Sequence, residues 1–173
     1  MPGPPGEGEH EAVELARLGQ ATTGLPPTTA QRVDLLIDGA ATYDALLDAV
    51  RGARDHVHLE YYIYHPDRSG TALRDALVER ARAGVKVRLL LDAVGSAGTA
   101  DAFFADLRAA GGELAWFHPM RFGHVWKRPW LNMRTHRKIV VVDGRVGFAG
   151  GINVTDEENE RLRADAYRDL HLR

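Results

Sequence analysis

Two hydrophobic periods alternate along the chain from Arg32 onward. Apolar residues three and four positions apart, as in residues 41–54, predict amphipathic helices, whereas strict alternation, as in residues 57–63, predicts β-strands. The predicted strands are residues 33–37, 57–63, 85–91, 114–117, 138–142 and 145–149, and the predicted helices are residues 41–54 and the segments around Leu73 and Phe103.

This order of elements predicts an α/β fold with a mostly parallel, mixed β-sheet flanked by helices, because repeated strand–helix–strand units form parallel strands. Residues 85–91 are almost continuously apolar, which is typical of a strand buried on both faces. The last third of the chain differs, since Asp143-Gly144 separates two apolar runs. That dipeptide predicts a β-hairpin with a tight type I′ turn.

The N-terminal region has no such pattern. Residues 1–9 are mostly Pro, Gly and Glu and predict a flexible tail, residues 10–20 are compatible with a short helix, and residues 22–29 contain Pro26-Pro27 and predict a linker. We therefore divide the chain into a flexible arm, residues 1–31, and an α/β domain, residues 32–173.

Composition excludes several kinds of chemistry. The 173 residues include no cysteine, so disulfides, thiolate metal ligands and a cysteine nucleophile are impossible. The 22 basic and 24 acidic residues give a net charge of −2, so the chain has no overall cationic shell for nucleic acid. No apolar run approaches the roughly 20 residues of a membrane-spanning helix, and the N-terminus lacks the features of a signal peptide.

Charge is nevertheless distributed unevenly. Residues 114–142 contain six Lys or Arg residues and no Asp or Glu, and an acid-free basic segment is suited to an anion site. A solvated basic loop is the alternative interpretation. The segment holds Trp126 and Trp130 beside Lys127 and Arg128, and aromatic rings interleaved with cations suit a membrane–water interface or stacked bases.

The most informative residues follow directly, at His136 and Lys138. On a strand, residues two apart share a face, so the two side chains are predicted to project together. A neighbouring ammonium favours a neutral, nucleophilic imidazole and can also hold a phosphate. Farther on, Gly150-Gly151 permits a close approach of the backbone to a ligand, and Asn153 supplies an amide that can donate to a phosphate oxygen.

The spacing His136-x-Lys138-x₄-Asp143, followed by Gly150-Gly151-x-Asn153, resembles the HKD signature of the phospholipase D superfamily. The similarity extends from Arg32 to Arg173 and is greatest to the bacterial cardiolipin synthase branch. Four further segments carry it: Leu35-Leu36-x-Asp38-Gly39, Leu59-Glu60-Tyr61-Tyr62-Ile63, Gly84-Val85-x-Val87-Arg88 and Leu91-Asp92-x-x-Gly95-Ser96.

The resemblance implies a two-step cleavage of a phosphodiester without metal or cofactor. One histidine attacks phosphorus, and a second histidine protonates the leaving alcohol and then activates the acceptor. His136 is expected to be one of these two histidines. Lys138 and Asn153 are expected to hold the non-bridging oxygens. The expected phosphate- or lipid-binding residues are Asn132, Arg134, Trp126, Lys127, Arg128 and Trp130.

Acidic residues near the motif receive separate roles. Asp143 lies at the far end of the predicted strand from His136, so we expect it to stabilise the hairpin, with Gly150 and Gly151 as further structural residues of the motif. The resemblance implies that Asp169 orients the imidazole, although a surface Asp before a strand is an equal alternative and Glu60 is a weaker candidate. Residues 156–157 are expected to begin a helix.

Cardiolipin synthases carry two HKD motifs, and this sequence carries one. Our preferred hypothesis is the N-terminal half of a phosphatidyltransferase, which acts on a phosphatidylglycerol-like phospholipid once a second half completes it. Such a chain would be peripheral at the bacterial inner membrane or cytoplasmic. One alternative is a homodimeric single-motif phosphodiesterase or nuclease, the only hypothesis with nucleic acid as a partner. The other is a non-catalytic phosphate-binding module.

Overall fold

The structure is a computed structural model that describes residues 7–118 and 134–173. Residues 1–33 and 34–173 form two separate units. The elements are helices α1 (Glu7–Thr23), α2 (Asp38–Gly52), α3 (Arg68–Arg82) and α4 (Ala105–Ala109), strands β1 (Leu35–Ile37), β2 (His56–Tyr61), β3 (Lys86–Asp92), β4 (Glu113–Phe117), β5 (Ile139–Val142), β6 (Val146–Gly150) and β7 (Leu170–Leu172), and the 3₁₀ turns Asp101–Phe104 and Asp156–Glu158.

The first unit contains helix α1. It begins at Glu7, inside the stretch expected to be a flexible tail, and ends at Thr23. The next residue, Gly24, has a positive φ of 71°, and its N–H donates to the carbonyl of Gln20. The arm proposed for residues 1–31 therefore contains a helix, and its flexibility stays a prediction. None of the helices in the described ranges is long and apolar enough to cross a membrane.

The second unit is built on a seven-stranded sheet in the order β1-β7-β6-β5-β2-β3-β4. Strands β2, β3 and β4 are parallel, and helices α3 and α4 connect them. The pairs β2–β5, β5–β6, β6–β7 and β7–β1 are antiparallel. The mixed α/β sheet with flanking helices is thus confirmed, but the expectation of a mostly parallel sheet is wrong. A hairpin joins β5 to β6 and no helix crosses over there, so the second half of the sheet alternates in direction.

The core lies on one face of this sheet. Side chains of α2, α3 and α4 pack with alternate strand residues in a single buried cluster that includes Leu59, Leu89 and Val140. On β3, by contrast, Lys86 and Arg88 are exposed between buried neighbours. The prediction that this strand is buried on both faces is therefore wrong, because Lys86 and Arg88 interrupt the apolar run at the positions that face solvent.

The predicted hairpin is present between β5 and β6. Asp143 and Gly144 both have positive φ, 53° and 63°, and the N–H of Arg145 donates to the carbonyl of Val142 at 3.0 Å. These are the features of a type I′ turn. The turn lies at the opposite end of β5 from His136, so the hairpin places the motif residues at the other edge of the sheet.

Candidate active site

The four residues predicted to be catalytic, His136, Lys138, Asn153 and Asp169, lie at one edge of the sheet. Strands β1, β2, β3 and β6 end there, and the antiparallel strands β5 and β7 begin there. Carboxyl ends of parallel strands form ligand sites in many α/β proteins. Because β5 and β7 run in the opposite direction, the residues just before each of them also lie at this edge. These residues include His136, before β5, and Asp169, before β7.

His136 and Lys138 lie next to each other at this edge. Strand β5 begins only at Ile139, one residue later than predicted, and the ammonium of Lys138 turns back to donate to the carbonyl of His136 at 2.8 Å. His136 is exposed and Lys138 is half-buried. Burial lowers the pKa of Lys138, while the negative charges of Glu158 and Asp169 act in the opposite direction. The site therefore combines an accessible imidazole with a half-buried amine that has the carboxylates of Glu158 and Asp169 in its surroundings.

Asn153 is buried and its carboxamide is fixed on both sides. The side-chain N–H donates to Glu158 Oε1 at 2.7 Å, and the Oδ1 atom accepts a hydrogen bond from the N–H of Ile63 at 3.1 Å. Its backbone N–H also donates to Glu158 Oε2, at 2.6 Å. Glu158 thus holds Asn153 through two bonds and leaves the second N–H of the carboxamide to donate elsewhere.

The backbone around Asn153 is attached to the chain that follows β2. Tyr64 and Val154 form a parallel bridge, with His65 N–H donating to Val154 at 2.8 Å and Val154 N–H donating to Ile63 at 3.1 Å. From the other side, the buried hydroxyl of Tyr43 donates to the carbonyl of Asn153 at 2.6 Å. These contacts fix the position of Asn153 relative to the sheet edge.

Asp169 lies beside the glycine pair. Its carboxylate accepts from the N–H of Leu170 at 2.7 Å and lies so close to Gly151 that a Cβ on that glycine would collide with it. Within residues 7–118 and 134–173, no hydrogen bond joins Asp169 to His136. The proposed role of Asp169 in orienting His136 therefore stays a prediction.

Gly150 and Gly151 make room for protein rather than for a ligand. A Cβ on Gly150 would lie 2.6 Å from the Cα of His171 and 2.8 Å from its Nδ1 atom. Both glycines thus permit the close approach of β7 and of Asp169, which precedes it. The interpretation of the pair as structural agrees with this packing, whereas the suggestion of close approach to a ligand receives no support from it.

Asp38 and Gly39, at the start of α2, hold the two acidic residues of the site. Asp38 has a positive φ of 63°; its N–H donates to the carbonyl of Asp169 at 2.9 Å, and its carboxylate accepts from the N–H of Asp169 at 3.2 Å. A Cβ on Gly39 would collide with the backbone carbonyl of Glu158. The Asp-Gly pair that follows β1 therefore positions both Asp169 and Glu158.

Asp143 binds backbone at the opposite end of the sheet. Its carboxylate accepts from the N–H groups of Arg54, Asp55 and His56, at 2.9, 2.9 and 3.0 Å. These bonds lower the pKa of Asp143. The contacts tie the hairpin to the start of β2 and place the carboxylate away from His136, as its proposed structural role requires.

Arg134 lies against a buried carboxylate. Its side chain is 10% exposed, and its guanidinium is 3.8 Å from Asp92, which is fully buried at the end of β3. The same carboxylate accepts from the N–H of Thr135 at 3.4 Å, while the Thr135 hydroxyl donates to Glu60. Arg134 is thus engaged with protein, and Glu60 holds Thr135 rather than the His136 ring. A phosphate-binding role for Arg134 stays a prediction.

The remaining predicted binding residues, Asn132, Trp126, Trp130, Lys127 and Arg128, lie outside the described residues. The predicted helix start at residues 156–157 is a 3₁₀ turn, Asp156–Glu158. Asp156 in turn binds the N–H of Ser69 at 2.8 Å, at the beginning of α3. In the described part of the chain, no three His, Asp or Glu side chains are grouped as metal ligands.

Sequence reasoning missed three residues of this site: Glu158, Tyr62 and Asp92. Glu158 lies five positions after Asn153 and binds it, Tyr62 follows β2 and contacts His136, and Asp92 ends β3 and binds the segment before the motif. A signal existed for Asp92 and Tyr62, because each lies at the carboxyl end of a predicted strand. Glu158 lies in an acidic run, Asp156 to Glu158, that has no periodicity to mark one member as buried.

We predict that Glu158→Gln destabilises the fold and disorders Asn153. A Gln amide nitrogen would face either the N–H or the Nδ2 of Asn153, so one buried donor would lose its acceptor, at a cost of about 1–3 kcal/mol. Urea unfolding measures the change. Glu157→Gln is the matched control, because Glu157 is its less buried neighbour, and it should change the free energy of unfolding by less than about 1 kcal/mol. Equal stability of the two variants would contradict the prediction.

A known protein family matches the part of the chain that carries His136, Lys138 and Asn153. The family described as "Cardiolipin synthase, PLD-like domain" matches residues 46–165, which cover most of the second unit. The chain belongs to this phospholipase D-like family. Residues 46–165 include the edge residues His136, Lys138 and Asn153, whereas Asp169 lies beyond the matched range.

Two curated relatives have similar degrees of identity. The chain is 43% identical over 142 residues to the major cardiolipin synthase ClsA of Bacillus subtilis, covering 82% of this chain and 29% of that protein. It is 43% identical over 160 residues to the cardiolipin synthase of Geobacillus thermodenitrificans, covering 90% of this chain and 30% of that protein. The chain therefore spans about 30% of the length of these relatives.

Solved structures share the fold. The phospholipase D family member Nuc from Salmonella typhimurium superposes with a TM-score of 0.59 at 17% identity, covering 82% of this chain and 80% of Nuc. Phosphatidylserine synthase from Haemophilus influenzae superposes with a TM-score of 0.65 at 14% identity, covering 90% of this chain and 36% of that protein. The mixed sheet with its flanking helices is thus a fold that these two structures share with the chain.

Proposed function

We propose that this chain supplies one motif of a cardiolipin synthase-type phosphatidyltransferase site. The observation that carries the proposal is the accessible His136 imidazole beside the Lys138 ammonium at the sheet edge. The identity of about 40% to named cardiolipin synthases supports phospholipid as the substrate class. Since those relatives are about three times longer, the rest of the site is proposed to come from a second HKD half.

The reaction has two steps. In the first, an imidazole nitrogen attacks the phosphorus of phosphatidylglycerol, the bond from phosphorus to the head-group glycerol oxygen breaks, and the second histidine gives that oxygen a proton. In the second, this histidine takes a proton from the hydroxyl of another phosphatidylglycerol, whose oxygen displaces the imidazole from phosphorus. The products are cardiolipin and glycerol. His136 is one of the two histidines.

Lys138 and Asn153 would bind the non-bridging oxygens while charge develops on them. The Lys138 ammonium offers N–H donors beyond the one it gives to His136, and the fixed Asn153 carboxamide has a second N–H that Glu158 does not use. Preorganised donors of this kind need no rearrangement during the reaction. Peripheral contact with the membrane through Trp126 and Trp130 is part of the same proposal.

The test is product analysis with the complete product of this gene. Vesicles of phosphatidylglycerol labelled in the head-group glycerol and, separately, in phosphorus should yield free labelled glycerol and phosphorus-labelled cardiolipin. If phosphatidic acid formed in place of cardiolipin, the reaction would be hydrolysis and the proposed transfer would be wrong. No turnover would reject the proposal, and cleavage of a simple phosphodiester by a stable dimer of the 173-residue chain would favour the homodimeric alternative.

A further inference from the structure

Among the described residues, Tyr62 is an aromatic residue that contacts both side chains of the motif. Its ring centroid lies 4.2 Å from that of His136, with the ring planes inclined by 36°. The Lys138 ammonium lies 5.5 Å from the same centroid. At 4.2 Å the two rings are in direct contact, and the ammonium lies within the roughly 6 Å over which a cation is attracted to an aromatic face. The Tyr62 ring thus contacts both the proposed reacting imidazole of His136 and the proposed phosphate-binding ammonium of Lys138.

The Tyr62 ring is itself held against backbone. A Cβ on Gly95 would lie 2.7 and 2.8 Å from two carbons of the ring, so only a glycine permits the ring to lie where it does. The Ser96 hydroxyl, next along the chain, donates to the carbonyl of Tyr62 at 3.0 Å and accepts from the N–H of Tyr64 at 3.0 Å. Ser96 is fully buried, so this anchor is shielded from water.

Among the described residues, the two groups that contact Tyr62 make few hydrogen bonds. In the described part of the chain the His136 ring makes no hydrogen bond, and it is exposed. The ammonium of Lys138 ends a flexible stem and, within residues 7–118 and 134–173, makes one hydrogen bond, to the carbonyl of His136. Without a neighbour, both side chains would sample several rotamers and lose conformational freedom on binding a phosphate. The ring of Tyr62 restricts that sampling.

We propose that Tyr62 is a positioning residue, whose ring fixes the His136 imidazole and the Lys138 ammonium in the geometry needed at phosphorus. This inference rests on the proposed function. The proposed role belongs to the ring and not to the hydroxyl, because the ring makes the contacts with both His136 and Lys138. Tyr62 is also adjacent in sequence to Ile63, whose N–H holds Asn153, so one short segment after β2 positions all three groups.

Activity of the complete gene product on phosphatidylglycerol vesicles tests the inference. Tyr62→Leu should lower kcat about 10- to 100-fold, because the reacting group would be misplaced, while KM changes less than about two-fold. Tyr62→Phe keeps the ring and should retain kcat within about three-fold of wild type. Phe103→Leu is the matched control, since that ring also lies under a cation, Arg74 at 4.4 Å, away from the site. It should leave kcat unchanged.

A second measurement does not depend on turnover. In the 173-residue chain, the ring protons of His136 should carry an aromatic ring-current shift in NMR spectra of wild type and Tyr62→Phe, and should lose it in Tyr62→Leu. A Leu variant with wild-type kcat, or with its His136 shifts unchanged, would overturn the inference.

The His136→Asn variant separates the two proposals. If His136→Asn is inactive and Tyr62→Leu is as active as wild type, the positioning role alone fails. If His136→Asn retains turnover, or the wild-type protein has none, the proposed function fails and the positioning role fails with it.

Discussion

His136→Asn is expected to abolish phosphatidyl transfer by the complete gene product, with a loss of about 10⁴-fold or more in kcat. Nucleophilic and general acid–base histidines contribute on this scale, because without the imidazole either the covalent intermediate or the proton transfer is lost. His136 is exposed, so the substitution should change the free energy of unfolding by less than about 0.5 kcal/mol. Turnover of labelled phosphatidylglycerol and urea unfolding measure the two effects.

His58→Asn is the matched control for this experiment. His58 is a half-exposed histidine on β2 whose ring lies 4.7 Å from His56, and it takes no part in the site. The same substitution there should leave kcat within about two-fold of wild type. Residual transfer above about 1% in His136→Asn, with the protein folded, would show that His136 is not one of the two reacting histidines.

Trapping distinguishes the two possible roles of His136. Brief incubation with phosphorus-labelled phosphatidylglycerol and rapid quenching should leave an acid-labile label on the protein, because a phosphohistidine is the proposed intermediate. A label on His136 would identify the nucleophile. A label on another histidine would make His136 the general acid and base.

Local pattern was sufficient for much of this fold. The alternation of residues 57–63 identified β2, and Asp143-Gly144 identified the hairpin, because strand periodicity and a turn with two positive φ values are properties of a few adjacent residues. The relative direction of the strands is not determined by neighbouring residues alone. Helical connections made β2, β3 and β4 parallel as expected, but the pairing of β7 with both β1 and β6 joins the two ends of the domain, and no short window of sequence records it.

In the site, too, features set by adjacent residues could be predicted from the sequence, and features set by distant residues could not. The spacing of His136 and Lys138 marked the motif, since both residues belong to one short segment. Glu158 could not be distinguished from its acidic neighbours, because its burial depends on Gly39, more than a hundred residues earlier, which permits the backbone of Glu158 to approach α2. The sequence placed Tyr62 in an alternating strand and in a segment that carries the family resemblance, but it did not indicate a site role, because the contacts of Tyr62 depend on how Gly95 and the motif fold over β2.

Stability should fall between pH 6.5 and pH 4 because of His171. This residue is 1% exposed within β7; its Nδ1 atom accepts from the N–H of Ile152 at 3.3 Å, and its Nε2 atom is buried without a partner among the described residues. Burial lowers the pKa of His171 to about 4, with the charge of Lys138 acting in the same direction and that of Asp169 against it.

The sign of the effect follows from proton linkage. In the unfolded chain this histidine binds a proton near pH 6.5, whereas in the folded chain it stays neutral until about pH 4, so acid favours the unfolded state. The contribution is present in full above pH 6.5 and is lost as the pH falls towards 4, to a total of about 3 kcal/mol. Urea unfolding at half-unit steps of pH measures this loss.

Removing the titrating ring nitrogens should flatten that profile. His171→Phe keeps an aromatic ring but leaves the N–H of Ile152 without its acceptor, so the variant should be less stable at pH 7 by about 1–3 kcal/mol and should lose less stability on acidification. His58→Asn removes a half-exposed histidine whose pKa burial also lowers, and should flatten the profile much less. If His171→Phe lost stability between pH 6.5 and pH 4 as steeply as wild type, protonation of His171 would not be the cause of the loss.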